Sequence, residues 1–214
     1  MFLTRKAQMV APEQTLPGRS ERNFPLSEKH RVLDAPLVTD EVPDGFEVAF
    51  FGLGCFWGAE EIYWQLPGVW STSVGYAGGT TPHPSYEEVC SGATNHTEAV
   101  RIVFDPAVVS YADLVKRFFE VHDPTQGYRQ GNDVGTQYRS AIYFTTPAQE
   151  QTARELTKVY GDELARRRLG DITTEVREAP TYYYAEDQHQ QYLAKNPFGY
   201  RCHANTGVRF PETA

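Results

Sequence analysis

A single strand-to-helix junction decides the fold of this chain. Its sequence is VAFFGLGCFWGAEEIYWQL, residues 48–66. The apolar run at 48–53 predicts a short strand, and the helix that follows has one apolar face, formed by Ala59, Ile62, Tyr63 and Leu66. Cys55 lies between the two elements, where unpaired backbone N–H groups and the positive end of the helix dipole favour a thiolate over a thiol. The junction therefore predicts an exposed, reactive cysteine.

The residues next to Cys55 give it a pocket. Phe56 and Trp57 provide an apolar wall for a small group such as a methyl. Gly54 and Gly58 lack side chains and allow a ligand or another backbone segment to come close. These neighbours predict a nucleophile that acts on a small apolar substrate group.

Short strands and helices alternate outside the junction. Further strands are predicted at 69–76, 97–104, 138–144 and 172–176, and further helices begin after caps at Ser85, Ser110 and Thr146 or run over 186–194. Apolar residues alternate along 97–104, which predicts a half-buried strand. Several connections are too short for parallel crossovers. The predicted fold class is α+β: a two-layer, ferredoxin-like mixed sheet with helices packed on it and a long C-terminal coil.

Composition divides the chain into three parts. Residues 1–44 carry five prolines and no sustained period, so they predict an extended N-terminal arm without a part in the chemistry. Residues 45–195 form the predicted catalytic α+β domain. From residue 196 onward Gly and Pro dominate, and we expect 196–214 to be a flexible tail that carries Cys202.

Charge and hydropathy exclude several classes of function. The 214 residues have a formal charge of −8, and the only dense basic cluster, at 166–168, lies near the end of a predicted helix, so nucleic acid is not an expected partner. No stretch approaches the about 20 apolar residues of a membrane span. The N-terminus also lacks the apolar region of a secretory signal. We expect a cytoplasmic monomer that does not bind membranes.

The three cysteines indicate redox chemistry rather than a disulfide framework. Cys55, Cys90 and Cys202 are an odd, sparse set without a Cys-x-x-Cys pair or regular Cys/His spacing, so neither a metal site nor a bound cofactor is expected. Cys90 fits an inert thiol on a short helix. Cys202 lies between Arg201 and His203, which should lower its pKa. Two low-pKa thiols, one fixed and one on a flexible segment, suit a nucleophile and a resolving partner that captures its sulfenic acid.

Six motifs together resemble one family. They are GCFWG (54–58), GYAGG (75–79), PSYEEVCSG (84–92), HTEAV (96–100), GNDVGTQYRS (131–140) and YAEDQHQQY (184–192). In this order and spacing they resemble the A-type methionine sulfoxide reductases, the peptide-methionine (S)-S-oxide reductases, which reverse methionine oxidation. The resemblance covers residues 47–204 and leaves the arm outside it.

The resemblance implies that two thiols carry the reaction. Cys55 attacks the sulfoxide sulfur, and Phe56 and Trp57 form the pocket for the S-methyl group. Cys202 then closes a disulfide with Cys55. Many relatives have two cysteines in the tail, whereas this chain has Arg209 where the second would fall. We therefore expect a two-thiol relay that is recycled by an external dithiol, with thioredoxin as the first candidate and a mycoredoxin or glutaredoxin system as the alternative.

The resemblance also implies an acid. Glu98, with Tyr86 and Tyr138, binds and protonates the sulfoxide oxygen, and Asp133 supports the site. Because a sulfoxide oxygen leaves poorly unless it is protonated, the site needs a carboxyl group that keeps its proton near neutral pH, and burial against aromatic rings raises a carboxyl pKa. Tyrosine hydroxyls add donors where negative charge develops.

Two other functions fit the same residues. A cysteine hydrolase needs a histidine base for its thiol, and six histidines are available. A non-catalytic module would bind methionine-rich or oxidised peptides without turnover. His96 and His189 are expected to be structural hydrogen-bonding residues, and Asp133 is also typical of a turn.

Overall fold

A six-stranded mixed sheet forms the centre of the molecule, in a computed structural model that describes residues 7–202 and 204–212. Its strands are β1 (Glu47–Leu53), β2 (Val69–Ala77), β3 (Thr97–Phe104), β6 (Ser140–Phe144), β7 (Glu175–Glu178) and β8 (Tyr182–Tyr184), while β4 (Arg129–Gln130) and β5 (Asp133–Val134) form a separate hairpin. The order is β7-β6-β1-β3-β2-β8, and only β6 and β7 pair in parallel. The predicted α+β mixed sheet is confirmed.

Five α-helices accompany the sheet in the described residues. They are α1 (Phe56–Trp64), α2 (Tyr86–Cys90), α3 (Tyr111–Val121), α4 (Pro147–Arg166) and α5 (Tyr192–Lys195). Helix α4 connects β6 to β7, the crossover that a parallel pair requires. Ser85, Ser110 and Thr146 cap helices α2, α3 and α4 as predicted, since each side chain accepts a hydrogen bond from the N–H three residues later. None of these helices is long and apolar enough to cross a membrane.

The main core lies between one face of the sheet and helices α1, α3 and α4. The ring of Phe51 is 5.5 Å from that of Tyr63 and 5.4 Å from that of Phe118, measured between centroids. The strand predicted at 97–104 is confirmed as β3, but all eight of its residues are buried, so the prediction that it is half-buried is wrong. The second face is covered as well: Arg101 is 8% exposed and donates from Nη2 to the carbonyl of Thr39 in the arm, at 2.7 Å.

Two predicted elements are displaced and one strand was not predicted. The strand expected at 172–176 begins later, at Glu175, as β7. Thr173 lies outside the sheet because its N–H donates to the carbonyl of Pro124 at 2.8 Å. The helix expected over 186–194 shortens to α5, because Gln191 has a left-handed φ of 46° that interrupts a helix. Strand β8 has no counterpart among the predictions.

The described parts of the N-terminal arm and of the C-terminal tail both contact the domain. In the arm, Leu37 is fully buried, and Nε2 of His30 lies 2.8 Å from Oγ1 of Thr72 in β2. No helix or strand follows α5 in the described residues, in agreement with the predicted coil. The sequence pattern predicts a flexible 196–214 tail, yet the structure anchors Val208 and Phe210 in the main core, because burial removes their apolar side chains from water.

Candidate active site

Cys55 is the N-cap residue of α1, at the end of a sharp turn from β1. Gly54 precedes it with a φ of +93°, which a residue with a side chain rarely adopts. A Cβ at Gly54 would lie 2.7 Å from Cγ of Gln130, so the turn also needs glycine for close approach. The junction thus places the thiol at the helix N-terminus, as the sequence predicts.

The surroundings of Cys55 oppose its ionisation. The residue is 9% exposed; burial raises the pKa of the thiol, and the charge of Glu98 raises it further. The N–H groups of Trp57 and Gly58 lower this pKa but do not offset the burial. The prediction of an exposed thiol with a lowered pKa is therefore wrong for the resting site. A thiolate forms here only if a nearby group takes the proton.

Glu98 is the carboxyl group next to this thiol. It lies on β3 opposite Tyr76 of β2 and is 2% exposed. Its Oε2 accepts a hydrogen bond from the N–H of Phe56 at 3.0 Å. Burial raises the pKa of Glu98 to about 8, and the charge of Asp133 acts in the same direction. Near neutral pH the carboxyl group therefore keeps its proton, which is the state that an acid for a sulfoxide oxygen requires.

Two tyrosines and an aspartate complete the cluster around Glu98. Tyr86 begins α2, and Tyr138 lies shortly after the hairpin that carries Asp133. Burial raises the pKa of both tyrosine hydroxyls, and the charge of Glu98 raises them further. Burial also raises the pKa of Asp133. The structure thus brings the four polar residues named by the resemblance, which come from separate parts of the chain, to one site beside Cys55.

Phe56 and Trp57 line this site from α1. Phe56 is 1% exposed and belongs to a small apolar cluster that also contains Val74, Tyr76, Val89 and Ala185. Trp57 is half-buried and stacks on Tyr192, with ring centroids 4.0 Å apart and an angle of 17° between the planes. The two rings form the aromatic surface beside the nucleophile that the sequence predicts.

Cys202 lies close to the Cys55 turn but is not bonded to it. All three cysteines are free thiols in this structure. Sγ of Cys202 is 3.6 Å from the carbonyl oxygen of Gln130, whose side chain packs against Gly54. Arg201, predicted to act on this thiol, instead donates to both carboxylate oxygens of Glu61 on α1, at 2.6 and 2.7 Å. The other predicted neighbour, His203, lies outside the described residues.

Three residues at the site were not predicted to belong to it. The hydroxyl of Tyr200 donates to Oδ2 of Asp133 at 3.1 Å and is also hydrogen-bonded to Cys202. Cys90, expected to be inert, is half-buried and hydrogen-bonded to the hydroxyl of Tyr86. His189 accepts a hydrogen bond from Trp57. The only sequence signal was that Cys90 and His189 lie inside two of the six motifs. The contacts themselves could not be predicted, because each depends on how distant segments pack.

The other buried histidines beside the sheet are used in structural hydrogen bonds. His96 accepts the N–H of Gly79 at 3.0 Å, and its Nε2 lies 2.7 Å from the carbonyl oxygen of Thr81. The two ring nitrogens of His122 lie 2.6 Å from the carbonyl of Phe118 and 2.7 Å from Oγ of Ser140. These contacts weigh against a histidine base for Cys55. Within the described residues no group of His, Cys, Asp and Glu side chains could hold a metal ion.

Comparison with known proteins gives one consistent result. The family model described as peptide methionine sulfoxide reductase matches residues 47–213. Peptide methionine sulfoxide reductase MsrA of Salinispora arenicola is 56% identical over 214 residues, which cover 99% of this chain and 96% of that protein. MsrA 1 of Synechocystis is 56% identical over 207 residues, covering 97% and 92%.

Solved structures agree with this result. Methionine sulfoxide reductase A of Corynebacterium diphtheriae is 49% identical, with a TM-score of 0.85 that covers 96% of this chain and 100% of that one. Reduced Mxr1 of Saccharomyces cerevisiae is 32% identical, with a TM-score of 0.71 over 77% of this chain and 93% of that one. A further structure shows Mxr1 in complex with Trx2. The fold, the cluster around Cys55 and these matches together establish that the chain belongs to the peptide methionine sulfoxide reductase family of oxidoreductases.

Proposed function

We propose that this chain reduces the S-epimer of methionine sulfoxide, in proteins and as the free amino acid, to methionine. The observation that carries the proposal is the placement of Glu98, a buried carboxyl group that accepts the N–H of Phe56 at 3.0 Å, next to the buried thiol of Cys55. Burial raises the pKa of this carboxyl group to about 8. Thiolate attack on a sulfoxide needs a base for the thiol and an acid for the oxygen. A carboxyl group that changes charge near neutral pH can serve as both.

One proton serves both groups in this mechanism. Burial raises the pKa of Cys55 and of Glu98, so the pair resists losing both protons. Ionised Glu98 takes the proton of Cys55 and creates the thiolate, and the same proton then passes to the sulfoxide oxygen. The hydroxyls of Tyr86 and Tyr138 donate to that oxygen as its negative charge grows.

The first step oxidises Cys55 and reduces the substrate. Sγ bonds to the sulfoxide sulfur, whose methyl group packs against Phe56 and Trp57, while Asp133 supports the bound substrate. The oxygen, carrying the shared proton, then shifts to Sγ as a hydroxyl group. The S–O bond and the new bond between the two sulfurs both break, and a bond between Sγ and oxygen forms. Methionine leaves with two electrons more than the sulfoxide had, and Cys55 remains as a sulfenic acid.

Cys202 resolves this sulfenic acid. Its thiolate attacks Sγ of Cys55, a disulfide forms, and the hydroxyl group leaves as water. The ion pair of Arg201 with Glu61 and the buried Val208 hold the tail on both sides of the resolving cysteine. Cys202 lies between these anchors, so Cys202 and not the anchored residues moves to bring the two sulfurs together.

An external dithiol then reopens the disulfide. The complex of Mxr1 with Trx2 supports a thioredoxin as the reductant, because Mxr1 in its reduced form shares this fold at 32% identity. A mycoredoxin or glutaredoxin system is the alternative, since one tail cysteine leaves a single disulfide to reduce.

The test uses separate S- and R-epimers of a methionine sulfoxide peptide. With dithiothreitol the wild type should convert only the S-epimer, and Cys55→Ser should convert neither. Without reductant, Cys202→Ser should still release about one methionine per chain, because the first step does not need the second thiol. Cys90→Ser is the matched control and should turn over with thioredoxin. Full thioredoxin-driven turnover by Cys202→Ser would refute the relay, and an unchanged S-epimer in the wild-type reaction would refute the function.

A further inference from the structure

His189 is a buried polar ring packed against the aromatic pocket. It is 5% exposed, and its ring centroid lies 4.3 Å from that of Tyr86, 5.6 Å from that of Phe56 and 5.9 Å from that of Trp57. It therefore touches both aromatic residues next to the nucleophile and one of the tyrosines near Glu98. No step of the mechanism proposed above uses it.

One hydrogen bond defines the form of this ring. Nε1 of Trp57 donates to Nδ1 of His189 at 3.2 Å. An indole N–H can only donate, so Nδ1 must be the unprotonated nitrogen and the neutral ring carries its proton on Nε2. Burial also lowers the pKa of His189, against the carboxylate of Glu186, which raises it. A protonated imidazole could not accept the indole N–H.

Nε2 of the same ring is buried and has no hydrogen-bond partner within the described residues. A buried N–H without a partner destabilises a folded protein. The ring is therefore not explained by stability alone, and its bond to Trp57 is the contact that it adds to the site.

The two residues that follow His189 are held by buried hydrogen bonds. Nε2 of Gln190 donates to the carbonyl of Val74 in β2 at 2.8 Å. Gln191 donates its N–H and its side-chain amide to the two oxygens of Glu60 on α1, each at 2.7 Å. The segment is thus fixed to the same helix that carries Trp57, so the position of the imidazole does not depend on the indole that it holds.

We infer that His189 is a positioning residue that sets the orientation of the Trp57 indole for the S-methyl group of the substrate. The in-plane bond to His189 and the stacking of Tyr192 on the ring face together fix both the rotation and the tilt of the indole. The inference rests on the function proposed above. Loss of the bond should weaken substrate binding without removing the thiol or the acid.

The test compares His189→Leu with His189→Asn in steady-state reduction of an S-methionine sulfoxide peptide by dithiothreitol. His189→Leu fills the space but cannot accept the indole N–H, whereas the amide oxygen of Asn can lie near the position of Nδ1. We expect KM to rise about five- to tenfold in His189→Leu, the effect of one lost hydrogen bond, with kcat within about twofold of wild type. His189→Asn should restore most of the KM.

A double-mutant cycle with Trp57→Phe makes the test specific. Without an indole N–H, adding His189→Leu should change KM no further, because the bond is already absent. The inference would be overturned if the two substitutions multiplied their effects on KM, or if KM were unaltered in folded His189→Leu. An active wild type would still support the proposed function in that case. Inactivity of the wild type on the S-epimer would instead refute the proposed function. Circular dichroism of each variant shows that it is folded.

Discussion

Two buried glutamates near helix α1, Glu60 and Glu98, differ in how many hydrogen bonds their carboxyl groups accept. Glu60, on α1, is fully buried; it accepts hydrogen bonds from Thr72 at 3.0 Å and from the backbone and side chain of Gln191 at 2.7 Å each. Glu98 accepts one hydrogen bond at its carboxyl group within the described part of the chain, from Phe56 at the start of α1. Burial raises the pKa of Glu60 to about 7 and that of Glu98 to about 8.

The number of donors separates a structural carboxyl group from a reactive one. The donors around Glu60 lower its pKa against the effect of burial and occupy both of its oxygens. His30 does not add a charge to this group, although it lies 3.9 Å away, because burial lowers the pKa of its imidazole to about 4. Glu98 accepts at Oε2 alone within the described residues, which leaves Oε1 for the proton transfer proposed above. Two residues of one type, both hidden from water, therefore differ in what they can do.

The largest expected difference is in turnover. Glu98→Gln should lower kcat for the S-epimer by about 10²- to 10⁴-fold, because the amide can neither take the thiol proton nor give it to the oxygen. Glu60→Gln should stay within about tenfold of wild type if it folds, since Glu60 touches no reacting atom. The check is steady-state assay of both variants with dithiothreitol. Equal losses of kcat in the two folded variants would show that Glu98 and Glu60 do not differ in their roles.

The pH profile gives the second test. In the proposed mechanism the productive state holds one proton shared by Cys55 and Glu98, whereas burial raises the pKa of both groups and favours two protons on the pair below about pH 8. We therefore expect kcat/KM to rise about tenfold per pH unit up to about pH 8 and then to level off. The inflection should disappear in Glu98→Gln and remain in Glu60→Gln. A profile that falls through pH 8 would mean that the reaction needs both protons.

Local patterns predicted much of the fold. The caps at Ser85, Ser110 and Thr146 were correct because capping depends on residues three apart in the chain. Strand β8 and the left-handed Gln191 were missed, since both depend on contacts with β2 and with Glu60 more than 100 residues away. Elements that rest on distant hydrogen bonds leave no local periodicity.

The candidate site also has features that the sequence predicted and features that it did not. The motifs placed Cys55, Glu98 and the aromatic residues together, and in the structure Glu98 accepts the N–H of Phe56, the residue after Cys55. The burial of Cys55 was missed, because the helix dipole can be inferred from a sequence but the surrounding walls cannot. The contact of Tyr200 with Asp133 was missed for the same reason.

Stability provides a third, smaller effect of the same comparison. The pKa of Glu98 is raised from 4.5 to about 8, so the folded state binds more protons than the unfolded state within that window. The stabilisation is complete below the unfolded pKa and is lost as pH rises toward 8. The free energy of unfolding of the wild type should therefore fall between pH 5 and pH 9. In Glu98→Gln this fall should be smaller by on the order of 3 kcal/mol. Urea unfolding of both proteins at the two pH values measures it.

Glu60→Gln should behave differently in the same urea experiment. The amide nitrogen of the new side chain would face a donor on Gln191, because both oxygens of Glu60 now accept from that residue. We expect a loss of about 1–3 kcal/mol at pH 8 rather than a gain. A variant more stable than wild type at that pH would contradict the structural role given to Glu60.

The smallest effect concerns the hydroxyl of Tyr86. The charge of Glu98 raises the pKa of this hydroxyl, which is hydrogen-bonded to Cys90. Sulfur is a weak acceptor, and Tyr138 supplies a second hydroxyl near Glu98, so Cys90→Ala should lower kcat/KM by only about two- to threefold. Cys90→Ser keeps an acceptor and should be closer to wild type. Steady-state assays at pH 8 can resolve this difference. A tenfold loss in folded Cys90→Ala, recovered in Cys90→Ser, would show that the proton chemistry of Glu98 depends on a held Tyr86 and not on the carboxyl group alone.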